Sequence, residues 1–371
     1  MKKKKAAALL LAAAMTVGAL PGWAVPTVQA AEVSAGDLTD TDTEAPAAWG
    51  ALPNANQYKY QKDELAAFCH FGMNTYTGSE WGNGKENPSQ FALKNDFDAA
   101  TLVKLIHDAG FKKLIITAKH HDGFCIWPSA YTEHDTETAG YDGDILAEIS
   151  AECTKYDIDM GLYLSPWDEN APSYGYYDEN GNALCGSNGQ PLNGMTWEEV
   201  YEKDAKDYNE YYDNQLREIL GNPKYGNNGT FVEVWMDGAK GGGADAQTYD
   251  FQRWFSTIQE LQGKAAGKPA DCMLFGAEAY TTVRWIGNED GLANEETWSK
   301  SNVNYENNTI DSNKKGSYYI GYEDGNQWTV PECDGRLTSG WFWGNNKKTP
   351  KTIEQLATMY FGSVGHLSLI H

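Results

Sequence analysis

Short apolar runs alternate along this chain with stretches in which apolar residues recur every three or four positions, the mark of strands interleaved with amphipathic helices. The clearest run is FVEVWMD, residues 231–237. It is β-prone, interrupted only by Glu233, and delivers Asp237 to a turn at Gly238 ahead of a glycine-rich stretch at 241–243. Comparable runs lie at 65–72, 114–118, 160–165, 273–277, 283–287, 340–343 and 366–370. Between them, Leu102, Leu105, Ile106 and Ala109 fall at helical spacing, with Asp98 as the start signal and Gly110 as the stop. Ile145, Leu146, Ile149 and Cys153 mark a helix within 143–156, and further helices are predicted over 197–220, 249–261 and 353–361. The alternation predicts a parallel sheet, and eight runs predict an α/β (β/α)8 TIM-like barrel that lacks a helix between its fifth and sixth strands. A doubly wound sheet is disfavoured because no glycine-rich phosphate loop follows the first run. Residues 166–195 have no periodicity and read as an elaborated loop near the site.

The first 55 residues do not share this rhythm. Lys2 to Lys5, an apolar stretch over 6–20 and a small-residue site at 28–30 read as a signal peptide over 1–30. Thr16, Gly18 and Pro21 leave the apolar run too short to span a bilayer, so export without membrane insertion is expected, and a secreted product. Residues 31–55 read as a flexible leader and 56–371 as the barrel. The net charge is −23, or −27 once the four lysines of residues 1–30 are gone, which argues against nucleic acid or anionic membranes as partners. Six cysteines at 69, 125, 153, 185, 272 and 333 match no metal spacing, and several sit in apolar runs, so free, buried thiols are expected.

The polar residues that do not suit a core gather at the C-terminal ends of the predicted strands: His70, His120 with His121, Tyr163, Asp237, Glu278, then Arg284-Trp285 and Glu289. In a barrel those ends meet on one face. The KHHDGF string, 119–124, could suggest a metal, but successive strand residues face opposite sides and no HxH or HExxH spacing occurs. No metal or other cofactor is expected. Thirteen tryptophans, among them Trp81, Trp127 and Trp285 near these ends, offer flat apolar faces for sugar rings. Two carboxylates at strand ends equip a retaining glycosidase, one as nucleophile and one as acid and then base, and an apolar flank such as Trp285 would keep the acid protonated.

KHHDGFCIWPSAYTEHD, with FCHFGMNTYTGSEWGNG upstream and VWMDGA downstream, resembles the glycoside hydrolase family 29 α-L-fucosidases, from about residue 58 to the C-terminus. The segments RWIGNEDG and WTVPECDGRLTSGWFW resemble the branch that prefers α-1,3/1,4-linked fucose. The resemblance implies fucosylated oligosaccharides or glycoconjugates as partners and Asp237 as nucleophile. It implies Glu289 as acid/base, with Glu278 in reserve. It further implies substrate contacts from His70, Glu80, Trp81, His120, His121 and Tyr163, with Trp235 and Trp341 as the wall under the fucose methyl group; Arg284 is added as a binding residue from its place at a strand end. Family members usually continue into a C-terminal β-sandwich, and this chain stops within its last predicted strand, so a truncated barrel without its last helix and sandwich is expected. A glycan-binding or degenerate, inactive relative is the alternative.

Overall fold

The computed structural model describes residues 48–93, 97–239, 241, 246–263, 272–311, 319–344, 349–366 and 369–370. The predicted signal peptide and the leader as far as residue 47 lie outside them. Among the described residues, eight strands form one sheet, paired in parallel and in sequence order: β1 (Ala66–Cys69), β2 (Lys113–Lys119), β3 (Asp159–Leu164), β4 (Glu233–Trp235), β5 (Met273–Phe275), β6 (Val283–Trp285), β7 (Val330–Cys333) and β8 (Leu369–Ile370). Helices α1 (Ala55–Lys62), α2 (Met73–Thr77), α3 (Ala99–Asp108), α4 (Ile145–Lys155), α5 (Trp197–Lys203), α6 (Tyr208–Leu220), α7 (Phe251–Gln262) and α8 (Ile353–Ser363) intervene. As expected, only a short 3-10 turn, Glu278–Tyr280, separates β5 from β6.

The strand period of two sorts side chains into two cores. Leu114, Ile116 and Ala118 of β2, Leu162 and Leu164 of β3, Val234 of β4 and Leu274 of β5 face outward and pack under the helices. Ile115, Tyr163, Trp235, Met273, Phe275, Val283 and Val330 face inward and pack on one another. The sheet curls enough for distant strands to touch: the Trp235 indole on β4 donates to Glu332 on β7 at 3.0 Å, and Phe68 on β1 meets Trp235 with ring centroids 5.2 Å apart. All C-terminal strand ends therefore open on one side.

The structure departs from the sequence reading in four places. The seventh strand is Val330–Cys333, not 340–343, where the chain bends. Pro331 and Glu332 break the apolar run that would have marked it, yet both pair in the sheet, and Glu332 is buried because Tyr60 and Trp235 hydrogen-bond it. The single helix predicted over 197–220 is two. Asp204 ends α5 in extended conformation, and Asp207, also extended, caps α6 by accepting from the Glu210 amide. The leader ends early: Asn54 caps α1 in a reciprocal box with Gln57, and only Gln57 and Tyr60 of that helix are buried, too sparse a pattern to show as amphipathic. Arg284, finally, faces outward on β6, away from the strand-end opening. No disulfide joins any of the six cysteines, and five of them are buried.

Candidate active site

A cavity of about 620 Å³ opens at the C-terminal ends of the strands. His70, Glu80, Trp81, His120, His121, Tyr163, Trp235, Asp237, Glu289 and Trp341 all line it, and so does Glu278. His70, His120, His121, Tyr163 and Asp237 were legible because a strand delivers each of them, at or just past its end, to a shared opening, whereas Glu80, Trp81 and Trp341 come from longer connections.

Asp237 lies two residues beyond β4. Its inward direction follows from Glu233 and Trp235, which alternate with the outward Val234. Its Oδ1 accepts from the Ala239 amide at 2.8 Å, and its Oδ2 accepts from the Tyr163 hydroxyl at 2.9 Å. The side chain stays 26% exposed, so the carboxylate is oriented by donors and still reachable from the cavity. His121 Nε2 stands 3.7 Å from Oδ2, beyond hydrogen-bond range.

Three imidazoles crowd the wall beside Asp237. His70 Nδ1 lies 2.8 Å from the Thr117 hydroxyl, and His121 Nδ1 lies 2.7 Å from Ser165 Oγ. The His120 ring lies parallel to Tyr163, with centroids 5.5 Å apart. Burial and the neighbouring His121 hold His70 down to about 3. Burial, with His121 and His70 beside it, holds His120 well below the usual histidine range. Burial also lowers His121, against the opposing pull of Asp237 and Asp168. All three rings are thus neutral near pH 7 and can exchange hydrogen bonds with hydroxyl groups without adding charge. His120 and His121 were expected on opposite faces. Because β2 ends at Lys119, the chain is no longer a strand at these positions, and both rings share the cavity, their centroids 4.1 Å apart. Among the described residues no group of three or more His, Cys, Asp or Glu side chains is arranged to hold a metal ion.

The apolar wall is continuous. Trp235 stacks on Phe275 at 3.9 Å and on Tyr163 at 5.1 Å, and Trp341 packs against Phe68 and His70. Glu80 helps place Trp341 by accepting from its backbone amide at 3.0 Å. Trp81, 58% exposed, stands at the rim with its edge to His121 and Trp167.

One expectation for this wall needs correction. Arg284 does not line the cavity. With Val283 and Trp285 facing inward, the strand turns Arg284 to the other side, where its fully buried guanidinium donates to the carbonyls of Trp298, Tyr319 and Ile320. It ties down the loops outside β6 and contributes nothing to the cavity surface. Trp285 lines the cavity together with Glu289; its indole N–H donates to Asp334 at 2.7 Å, and Glu289 pairs with Arg336 at 3.4 Å. Asp334, just past β7, was missed together with its strand. It lines the cavity, and burial raises its carboxyl to about 8 against the lowering effect of the Trp285 hydrogen bond.

A TIM-like barrel whose strand ends present an oriented carboxylate, neutral imidazoles and indole faces defines a pocket suited to a sugar ring. Residues 38–359 match the family model described as alpha-L-fucosidase, and the chain belongs to that family. It is 37% identical over 320 residues to Alpha-L-fucosidase 1 of Arabidopsis thaliana, covering 85% of this chain and 54% of that protein. It is similar to the structure of a Ruminococcus gnavus GH29 fucosidase in complex with fucose, with 63% identity, a TM-score of 0.79, and 89% of this chain and 64% of that one covered. The structure of SpGH29 gives 39% identity and a TM-score of 0.73, over 87% of this chain and 64% of that one. The chain thus spans about half the length of the plant relative and less than two thirds of these solved chains.

Proposed function

We propose that the protein is an exported, retaining α-L-fucosidase that removes terminal fucose, α-1,3/1,4-linked, from glycans. The observation that carries the reading is Asp237: reachable, fixed by Tyr163 and the Ala239 amide, and facing a cavity walled by neutral imidazoles and stacked aromatics, in a chain of the fucosidase family. The Ruminococcus gnavus relative with fucose bound supports the same sugar here. The lysine-led apolar stretch at residues 1–30 supports export, and the RWIGNEDG and CDGRLTSGWFW segments support the linkage.

In this reading Asp237 attacks the anomeric carbon while Glu289 gives a proton to the departing oxygen. Glu289 then takes a proton from water, which releases fucose from Asp237 with its anomeric configuration retained. Glu289 and Arg336 are both partly exposed, so an entering aglycone can separate them and take up the Glu289 carboxyl. Trp235 and Trp341 lie under the methyl group, and His70, His120, His121, Glu80 and Trp81 hold the ring and its hydroxyls.

The test is fucose release by the full chain from an α-1,3/1,4-fucosylated trisaccharide, with the first-formed anomer followed by NMR. Release of the α anomer, lost in Asp237→Ala, supports the reading; release of the β anomer sinks the retaining mechanism. A folded protein that binds the trisaccharide without cleaving it would establish the binding-only alternative. If Glu289→Ala keeps turnover and Glu278→Ala loses it, the acid/base is Glu278.

A further inference from the structure

The contacts behind His121 determine which of its nitrogens carries the proton. Ser165 Oγ lies 2.7 Å from the Trp167 carbonyl and 2.7 Å from His121 Nδ1. A serine hydroxyl has one proton to give, and a carbonyl can only accept, so that proton goes to Trp167. The contact with His121 must then run the other way, with Nδ1–H donating to Ser165 Oγ. In a neutral imidazole this leaves Nε2 as a bare lone pair. The ring is buried, 3% exposed at the side chain, and Nε2 stands 3.7 Å from Asp237 Oδ2. Two acceptors facing each other keep such a distance; a donor and a carboxylate would close to about 2.8 Å.

We propose that Ser165 is a positioning residue that locks His121 in its Nδ1–H tautomer, so that Nε2 meets the substrate as an acceptor for a sugar hydroxyl beside Asp237. The claim rests on the fucosidase reading above for the identity of the substrate. In the other tautomer Nε2–H would donate to Asp237 and occupy the oxygen that Tyr163 already holds, competing with the attack on the sugar. The charged and titratable groups around the ring are Asp237 beyond β4, Asp168 on the loop after β3, His120 on its own segment and His70 beyond β1. Asp168 is engaged with Lys119 at 2.8 Å, both fully buried, and its Oδ1 accepts from the Asn170 and Ala171 amides. That pair fixes the start of the loop on which Trp167 lies against His121, with centroids 4.7 Å apart, so the carbonyl that consumes the Ser165 proton is itself held in place.

The tautomer is read directly from long-range 15N–1H NMR of the full chain labelled at its seven histidines, without substrate, with His121 assigned through His121→Gln. The expected result near pH 7 is a protonated Nδ1 and a bare Nε2 in the natural protein and in Ser165→Thr, and the appearance of Nε2–H in Ser165→Ala. In the fucose-release assay Ser165→Ala should lose about tenfold in kcat/KM, mostly through KM, and Ser165→Thr should restore it. An Nε2–H tautomer or an imidazolium in the natural protein overturns the proposal whatever the variants do, and an unchanged tautomer in Ser165→Ala overturns the role of Ser165. Because the spectrum needs no turnover, the two readings fail separately. The Nδ1–H form without fucose release supports the lock and counts against the fucosidase, and release with the Nε2–H form does the reverse.

Discussion

Glu233 and Asp237 are carried by the same stretch of chain and point into the same barrel interior, one at the start of β4 and one just past its end, and their surroundings are opposite. Asp237 meets a hydroxyl and an amide that donate to it, and keeps about a quarter of its surface open. Glu233 is fully buried among Tyr60, Glu332 and Lys113, and its carboxyl is raised to about 7 by burial, against the pull of Lys113 and Tyr60. Tyr60 contacts both Glu233 and Glu332 but has one proton to give. It donates to one and accepts from the other, so one carboxyl in the pair carries a proton. Burial and the charge of Glu233 raise Glu332 well above the usual carboxyl range, which makes it the protonated partner. Lys113 is brought down to about 8 by the same burial, and its ammonium sits over the Tyr60 ring. Two layers separate a carboxylate held ready for chemistry from a carboxyl cluster that must share protons to stay buried at all. Trp235 joins them, lining the cavity on one side and donating to Glu332 on the other.

The sharpest way to break this contrast is to exchange each carboxyl for its amide. Asp237→Asn should lose about 10^4-fold or more in fucose release while its urea midpoint hardly moves. Glu233→Gln should keep turnover within about an order of magnitude, since it touches no part of the cavity surface. Comparable losses in both would mean that the two layers do not act separately. The next effect is on stability. Glu332→Ala removes the buried hydrogen-bond partner of Tyr60 and Trp235 and leaves an unpaired indole N–H beside a cavity, for an expected loss of about 2–5 kcal/mol in denaturant unfolding. A loss below about 1 kcal/mol would show that the cluster is not a supporting layer.

A further effect on stability acts through pH. Asp334 is held at about 8, up from an ordinary 3.8, so between those values the folded protein keeps a proton that the unfolded chain has released. Stability therefore falls as pH rises through that window, and the full cost is felt above it. Asp334→Asn should flatten this slope, becoming more stable relative to the natural protein above pH 8 than below pH 4, as urea midpoints on either side would show. The smallest expected change is at the rim. Trp81→Ala removes an exposed aromatic face and should raise KM about fivefold, with kcat nearly unchanged.

The same contrast explains what could be seen in the sequence. His70, Tyr163 and Asp237 stood out because a polar group at the end of an apolar run has no local reason to be there. Arg284 and Trp285 looked equivalent at the end of β6, and only the facing of the strand separates them: the indole enters the cavity and the guanidinium leaves it for three carbonyls. β7 was hidden because its Glu332 looks like a surface residue until Tyr60 and Trp235, from distant parts of the chain, are brought to it. With that strand went Asp334. Helix α1 was hidden for a related reason: its purpose is to bring Tyr60 to the barrel, and a helix that buries so few side chains carries almost no period. Local pattern reveals what local physics decides, and buried polar clusters are decided elsewhere in the chain.

The absence of disulfides among the six cysteines has a practical consequence. Nothing in this barrel waits for an oxidant, so the same fold is reachable in a reducing cytosol and in an oxidising exterior, and no disulfide has to be reshuffled on the way. Burial also raises the Cys69 thiol to about 11 and that of Cys153 to about 12, leaving almost no thiolate near neutral pH. Alkylating reagents should therefore pass over the native protein and react only with chains that have opened, which makes the thiols a built-in clock for its unfolding.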